Sequence, residues 1–102
     1  MDKFRAAYIA CATRHDFSAL LEICETVNFC TTGYEKEEAL KPTLSASLDR
    51  FDPAQDIIVP VGNVVTNLIL GEILAGIAPG GFRIAIFSEK KYHIMEIGGY
   101  SD

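Results

Sequence analysis

Basic residues are scarce in this chain. Nine lysines and arginines stand against fourteen aspartates and glutamates over 102 residues, a formal net charge of −5. Gripping nucleic acid along its backbone requires a basic face that displaces counterions, so nucleic acid is not an expected partner, although a local basic pocket fits the balance. Long apolar runs are missing as well. No stretch approaches the ~20 residues that cross a bilayer, and Glu72 interrupts the longest candidate. The opening MDKFRAAY lacks the charged segment and long apolar stretch of a secretory signal. No membrane partner is expected, and the location expected is cytoplasmic.

Ligating and nucleophilic side chains are few. Cys11, Cys24 and Cys30 are odd in number, show no CxxC or other metal-ligand spacing, and sit among apolar neighbours. They read as three reduced, buried thiols, a reactive thiol being the alternative. His15 and His93 are the only histidines, and nothing clusters with them as a metal set. No metal and no cofactor are expected. Nucleotide signatures are absent: there is no GxGxxG after the first strand and no GxxxxGK[ST] anywhere. Internal repeats and low-complexity segments are absent too.

What remains is an ordinary globular composition, 49% apolar and 23% charged. It is long enough for one core and too short for two, so residues 1–102 are read as a single domain. The most decided stretch is DIIVPVGNVVTNLILGEILAGI, from Asp56 to Ile77. Ile57, Ile58, Val59 and Val61 read as a strand covered on both faces. After the Gly62–Asn63 break, Val64, Val65, Leu68, Ile69, Ile73 and Ile77 recur at helical spacing. Asn63 is suited to cap that helix.

The flanking segments follow the same alternation. Phe4 to Thr13 reads as a strand on its alternation or as a helix on its alanines, and the strand is preferred because HDFSALLEICETV already supplies a helix, capped by Asp16. Val27 to Thr32 reads as the second strand, closed by Gly33. Glu35 to Phe51 reads as a helix with Leu40, Leu44, Leu48 and Phe51 on one side, either kinked at Pro42 or beginning near it. Phe82 to Ser88 and Tyr92 to Ile97 read as an antiparallel hairpin, and the tail GGYSD as frayed. Within that hairpin, Arg83, Ala85 and Phe87 are expected to neighbour His93, Met95 and Ile97. The order β-α-β-α-β-α-β-β predicts a small Rossmann-like three-layer α/β sandwich, its mostly parallel sheet ending in that hairpin. A ferredoxin-like α+β arrangement is the alternative if the first segment is helical.

Parallel strands put their following loops along one edge, where open α/β sheets bind ligands. Thr13 to Asp16, Thr31 to Tyr34, and Gly62, Asn63, Thr66 and Asn67 meet there. The expected ligand-binding set is Arg14, His15, Thr32, Gly62, Asn63, Thr66 and Asn67. Arg14 supplies a bidentate donor for phosphate or carboxylate, and helix N-termini supply amides. Asp16 and Asn63 are also accounted for as caps, and the acidic run at Glu35, Glu37 and Glu38 as a solvated face.

Three functions follow. The first is a small domain binding an anionic or nucleotide-like molecule at the C-terminal edge of the sheet. The second is a homodimeric interaction module of a size that suits a phage-encoded or other microbial accessory protein. It would associate through the apolar hairpin (Phe87, Met95 and Ile97) or through the helix Asn63 to Ile77. The third is a small hydrolase using His15, for which no orienting partner is evident.

Overall fold

The computed structural model describes residues 3–98. Its central strand is β3 (Ile57–Val59), whose three residues are wholly buried. A strand without polar positions needs cover on both faces and neighbours on both edges. It has them: β1 (Phe4–Ile9) pairs with it in parallel on one side and β4 (Phe82–Ser88) on the other. β2 (Cys24–Phe29) runs parallel beyond β1, and β5 (Lys91–Ile97) closes the other edge antiparallel to β4, for an order β2-β1-β3-β4-β5. This is a small α/β protein of Rossmann-like form, with the expected C-terminal hairpin. The first segment is a strand, so the condition for the ferredoxin-like alternative is not met. The tail, residues 99–102, lies outside the described residues.

One face of the sheet carries α1 (Glu37–Ser47) and α2 (Val64–Ile77). Leu44 and Leu48 of α1, and Leu70 and Leu74 of α2, pack there with Tyr8, Ile58 and Ile84. Pro42 lies inside α1 at an exposed position. The helix begins at Glu37 rather than near the proline and runs past it. The bond lost is to the carbonyl of Glu38, an exposed residue of the first turn.

The other face differs from expectation. HDFSALLEICETV forms no α-helix: it holds a 3-10 turn, Ser18–Glu22, and then enters β2 three residues earlier than expected. Cys24 to Val27 has helical spacing but lies beside β1, where Cys24 pairs with Phe4 and Val27 with Ala7. β-branched and apolar residues beside an open strand edge gain more from pairing than from a lone helix. Phe17 and Leu20 cover Ala7, Ile9 and Val59 from this turn, so the layer is thin. Phe29, Phe87 and Ile94 stay 41–51% exposed.

The hairpin turns through Glu89 and Lys90, both at positive φ as a two-residue turn with the right twist requires. That length sets the register. Arg83, Ala85 and Phe87 stand opposite Glu96, Ile94 and Tyr92, whereas His93 and Met95 stand opposite Ile86 and Ile84 on the helix-bearing face. The expected pairing with His93, Met95 and Ile97 is thus one residue out, which moves those side chains to the other face.

Candidate functional site

The strand order puts the loops after β2, β1 and β3 side by side at the C-terminal edge. From β1 the chain leaves to β2 on one side, and from β2 it returns to β3 on the other. The crevice between the β1 and β3 loops is therefore the topological switch point.

Hydrogen bonds zip the loops together beyond the regular strands. Ala10 N–H donates to Val59 O at 3.0 Å, Ala12 N–H to Thr31 O at 2.9 Å, and the buried Thr31 hydroxyl to Ala10 O at 2.8 Å. Cys11 stands at the centre. Gly33 and Gly62 both have φ of 92°, and a Cβ on Gly62 would lie 2.7 Å from Cys11 Cβ, one on Gly33 3.3 Å from its Sγ. The two glycine turns clasp the cysteine, and their bareness is what lets three loops meet.

The β2 loop has filled its own anion site. The Glu35 carboxylate accepts from Thr32 N–H at 2.8 Å, the Thr32 hydroxyl at 3.1 Å and Gly33 N–H at 3.0 Å. These bonds, the Thr32 amide first, hold that carboxyl below the usual glutamate range. Glu35 is thus a structural anion and not part of a solvated face. Thr32, expected to contact a ligand, has its amide and hydroxyl engaged by Glu35.

The β3 loop is organised by two asparagines. Asn63 Oδ1 accepts from Thr66 N–H at 2.8 Å, the cap expected of it. Asn67 Nδ2 donates to Val61 O at 2.9 Å and to Asn63 O at 3.0 Å, pinning the turn around Gly62. Its Oδ1 is buried without a partner, in a setting where buried polar atoms are nearly always bonded. Thr66 is buried under the first turn of α2.

The β1 loop carries Arg14 and His15. Arg14 is exposed and makes no ion pair among the described residues. His15 lies over the end of β4. Its ring meets Phe17 and Phe87 edge-on, at centroid distances of 4.9 and 4.7 Å. Its Nε2 lies 3.3 Å from the Tyr92 hydroxyl, which donates or accepts according to the imidazole tautomer. Burial raises the Tyr92 pKa, so the hydroxyl keeps its proton at neutral pH. His15, Pro60, Val61, Phe87 and Tyr92 border a hollow of about 300 Å³.

The edge thus brings together Gly62, Asn63, Thr66 and Asn67, joins His15 to an aromatic hollow, and leaves Thr32 occupied. Pro60, Phe87 and Tyr92 were not expected at the site. Their signal was the short polar link at Glu89, which sets Tyr92 opposite Phe87 at the top of β4. A larger hollow, about 780 Å³, opens at the opposite edge around Phe4, Glu25, Arg83 and Ile94. Its cations are engaged: Arg5 by buried Asp56, Arg83 by Glu96 and the Phe4 ring, Lys3 by Leu21 O. At the C-terminal edge Arg14 has no such partner among the described residues. Among the described residues no group of three or more histidine, cysteine or acidic side chains is disposed to hold a metal ion. No helix there is long and apolar enough to cross a membrane. No known protein family, curated protein or solved structure matches this chain.

Proposed function

We propose that the protein binds an anionic or nucleotide-like small molecule at the C-terminal edge of its sheet, between the β1 and β3 loops. The observation that carries this reading is the switch-point crevice with the His15–Phe87–Tyr92 hollow beside it, and with Arg14 an exposed cation in the adjoining β1 loop. Arg14 takes the anion by charged hydrogen bonds. The aromatic hollow takes a ring, and the asparagine-pinned turn of α2 presents its amides between them. Three unpaired, buried cysteines suit a reducing compartment, and we read the protein as cytoplasmic.

Thermal shift against a panel of nucleotides and simple anions tests this. A ligand at ten times its Kd adds about 1.4 kcal/mol, or roughly 6–11 °C for a domain this size. Arg14→Ala should abolish the shift and leave the unliganded Tm unchanged, because an exposed loop arginine holds up no core. A panel without any shift, or a shift that survives Arg14→Ala, refutes the reading.

Self-association is a second reading, favoured by α2: Val64, Val65 and Leu68 are 53–71% exposed on an almost uncharged helix. On this reading the protein is a homodimeric interaction module. Hydrolysis through His15 has less support, since its ring is held by two phenylalanines and a tyrosine hydroxyl rather than by a nucleophile or carboxylate.

A further inference from the structure

The chain leaves one helix half-dressed. In VVTNLILGEILAGI the single charged residue is Glu72, which turns to α1 and pairs with Lys41. A helix that is apolar nearly all round is normally enclosed. Only the side bearing Thr66, Leu70 and Leu74 is buried here. Its flank towards the hairpin is a strip of small residues, Gly71, Ala75 and Ala78, which with Phe82 and Ile97 border a hollow of about 350 Å³. Beyond it the hairpin is covered only in part: Ile84 is buried against the helices, while Ile86, Met95 and Ile97 are 40–49% exposed.

Gly71 is the informative residue. A mid-helix glycine weakens the helix, and a Cβ at this position would meet nothing within 4 Å. Neither internal packing nor backbone conformation asks for glycine there. A second backbone drawn close to α2 would.

We propose that this groove receives α2 of a second copy, packed antiparallel across a two-fold axis near Gly71; the inference rests on the self-association reading above. Each α2 would lie beside its twin and over the partner's partly covered hairpin. One isologous contact then covers both the exposed helix and the exposed part of the strands. Charge selects the occupant. The groove offers none, so it suits an uncharged helix, and α1, with Glu37, Glu38 and Lys41, is unsuited. Area agrees: Val64, Leu68, Ile86, Met95 and Ile97 together expose on the order of 500 Å² per copy. Monomers rarely leave more than a few hundred Å² of contiguous apolar surface bare, and stable interfaces bury ~800 Å² per partner. Gly71 lies near the middle of the 14-residue helix, so an axis there uses its full length.

Sedimentation of the full chain from about 1 to 200 µM tests the proposal. The wild type should reach twice its 11.2 kDa mass. Gly71→Leu should remain folded, having no internal clash, yet raise the dimer Kd at least ~100-fold by filling the crossing point. Leu68→Glu, at a position 69% exposed, should do the same if the leucine variant fails to fold. A wild-type dimer whose Kd neither variant changes overturns the helix contact while self-association through another face stands. A monomer throughout the range overturns both.

Discussion

Replacing Gly62 by alanine should destabilise the protein by about 2–6 kcal/mol, the sum of backbone strain and overpacking. At a φ of 92° an L-residue is strained by roughly 1–3 kcal/mol. The new methyl would also sit 2.7 Å from Cys11 Cβ, a separation that forces the β1 or β3 loop to move, at about 1–3 kcal/mol. Gly33 shares the same φ, but its nearest contact would be the Sγ of Cys11 at 3.3 Å, with Ala12 O at an ordinary 3.7 Å. A thiol can give way by a few tenths of an ångström, so Gly33→Ala should cost mainly the strain. A methyl on Gly62 would also stand 3.3 Å from Sγ, so Cys11→Ala, which removes Sγ and keeps Cβ, isolates the Cβ clash that Gly62 alone has. In urea unfolding of both double-mutant cycles, Cys11→Ala should relieve the tight Sγ contact in each case, yet leave most of the Gly62→Ala loss in place because the 2.7 Å approach to Cβ remains, with couplings above ~0.5 kcal/mol resolved. A Gly62→Ala protein within ~0.5 kcal/mol of wild type, or one fully restored by Cys11→Ala, would refute the clasp of three loops on one cysteine.

Glu35→Gln should lower the urea midpoint at neutral pH and matter less in acid. The carboxyl's pKa is depressed in the folded state by the Thr32 amide. Its contribution is therefore whole above the ordinary glutamate value of about 4.3 and fades as pH falls through the lower folded value. A gap between wild type and variant that stays constant from neutral pH to well below that value would count against the role. Asp56→Asn should be far more damaging than Lys41→Ala. Asp56 is fully buried and accepts from Arg5 Nε at 3.0 Å, Arg5 Nη2 at 2.6 Å and Asp52 N–H at 2.8 Å. The Lys41–Glu72 pair is 62–66% exposed and its loss should stay within ~0.5 kcal/mol. Equal Tm shifts for the two variants would contradict this ranking.

Local sequence determined the elements whose signal is self-contained. Ile57 to Val61 read as a covered strand, of which Ile57–Val59 pair in the sheet, Asn63 could cap the helix after it without outside help, and the link Glu89 to Lys91 left little choice but a hairpin. Each depends on neighbours within a few residues. Tertiary structure decided where local preference and partner disagreed. Cys24 to Val27 carries helical spacing, yet the open edge of β1 drew it into the sheet. Glu35 looked like one member of a solvated run until the amides of Thr32 and Gly33 converged on it. His15 could not announce Phe87 or Tyr92, which lie more than seventy residues away and reach it only through the hairpin register. Gly62 and Gly33 were legible as turns, but not as the two sides of a clasp on Cys11. Spacing along the chain encodes which face a residue takes. Contact between loops depends on strand order, which pairing energies over the whole sheet settle.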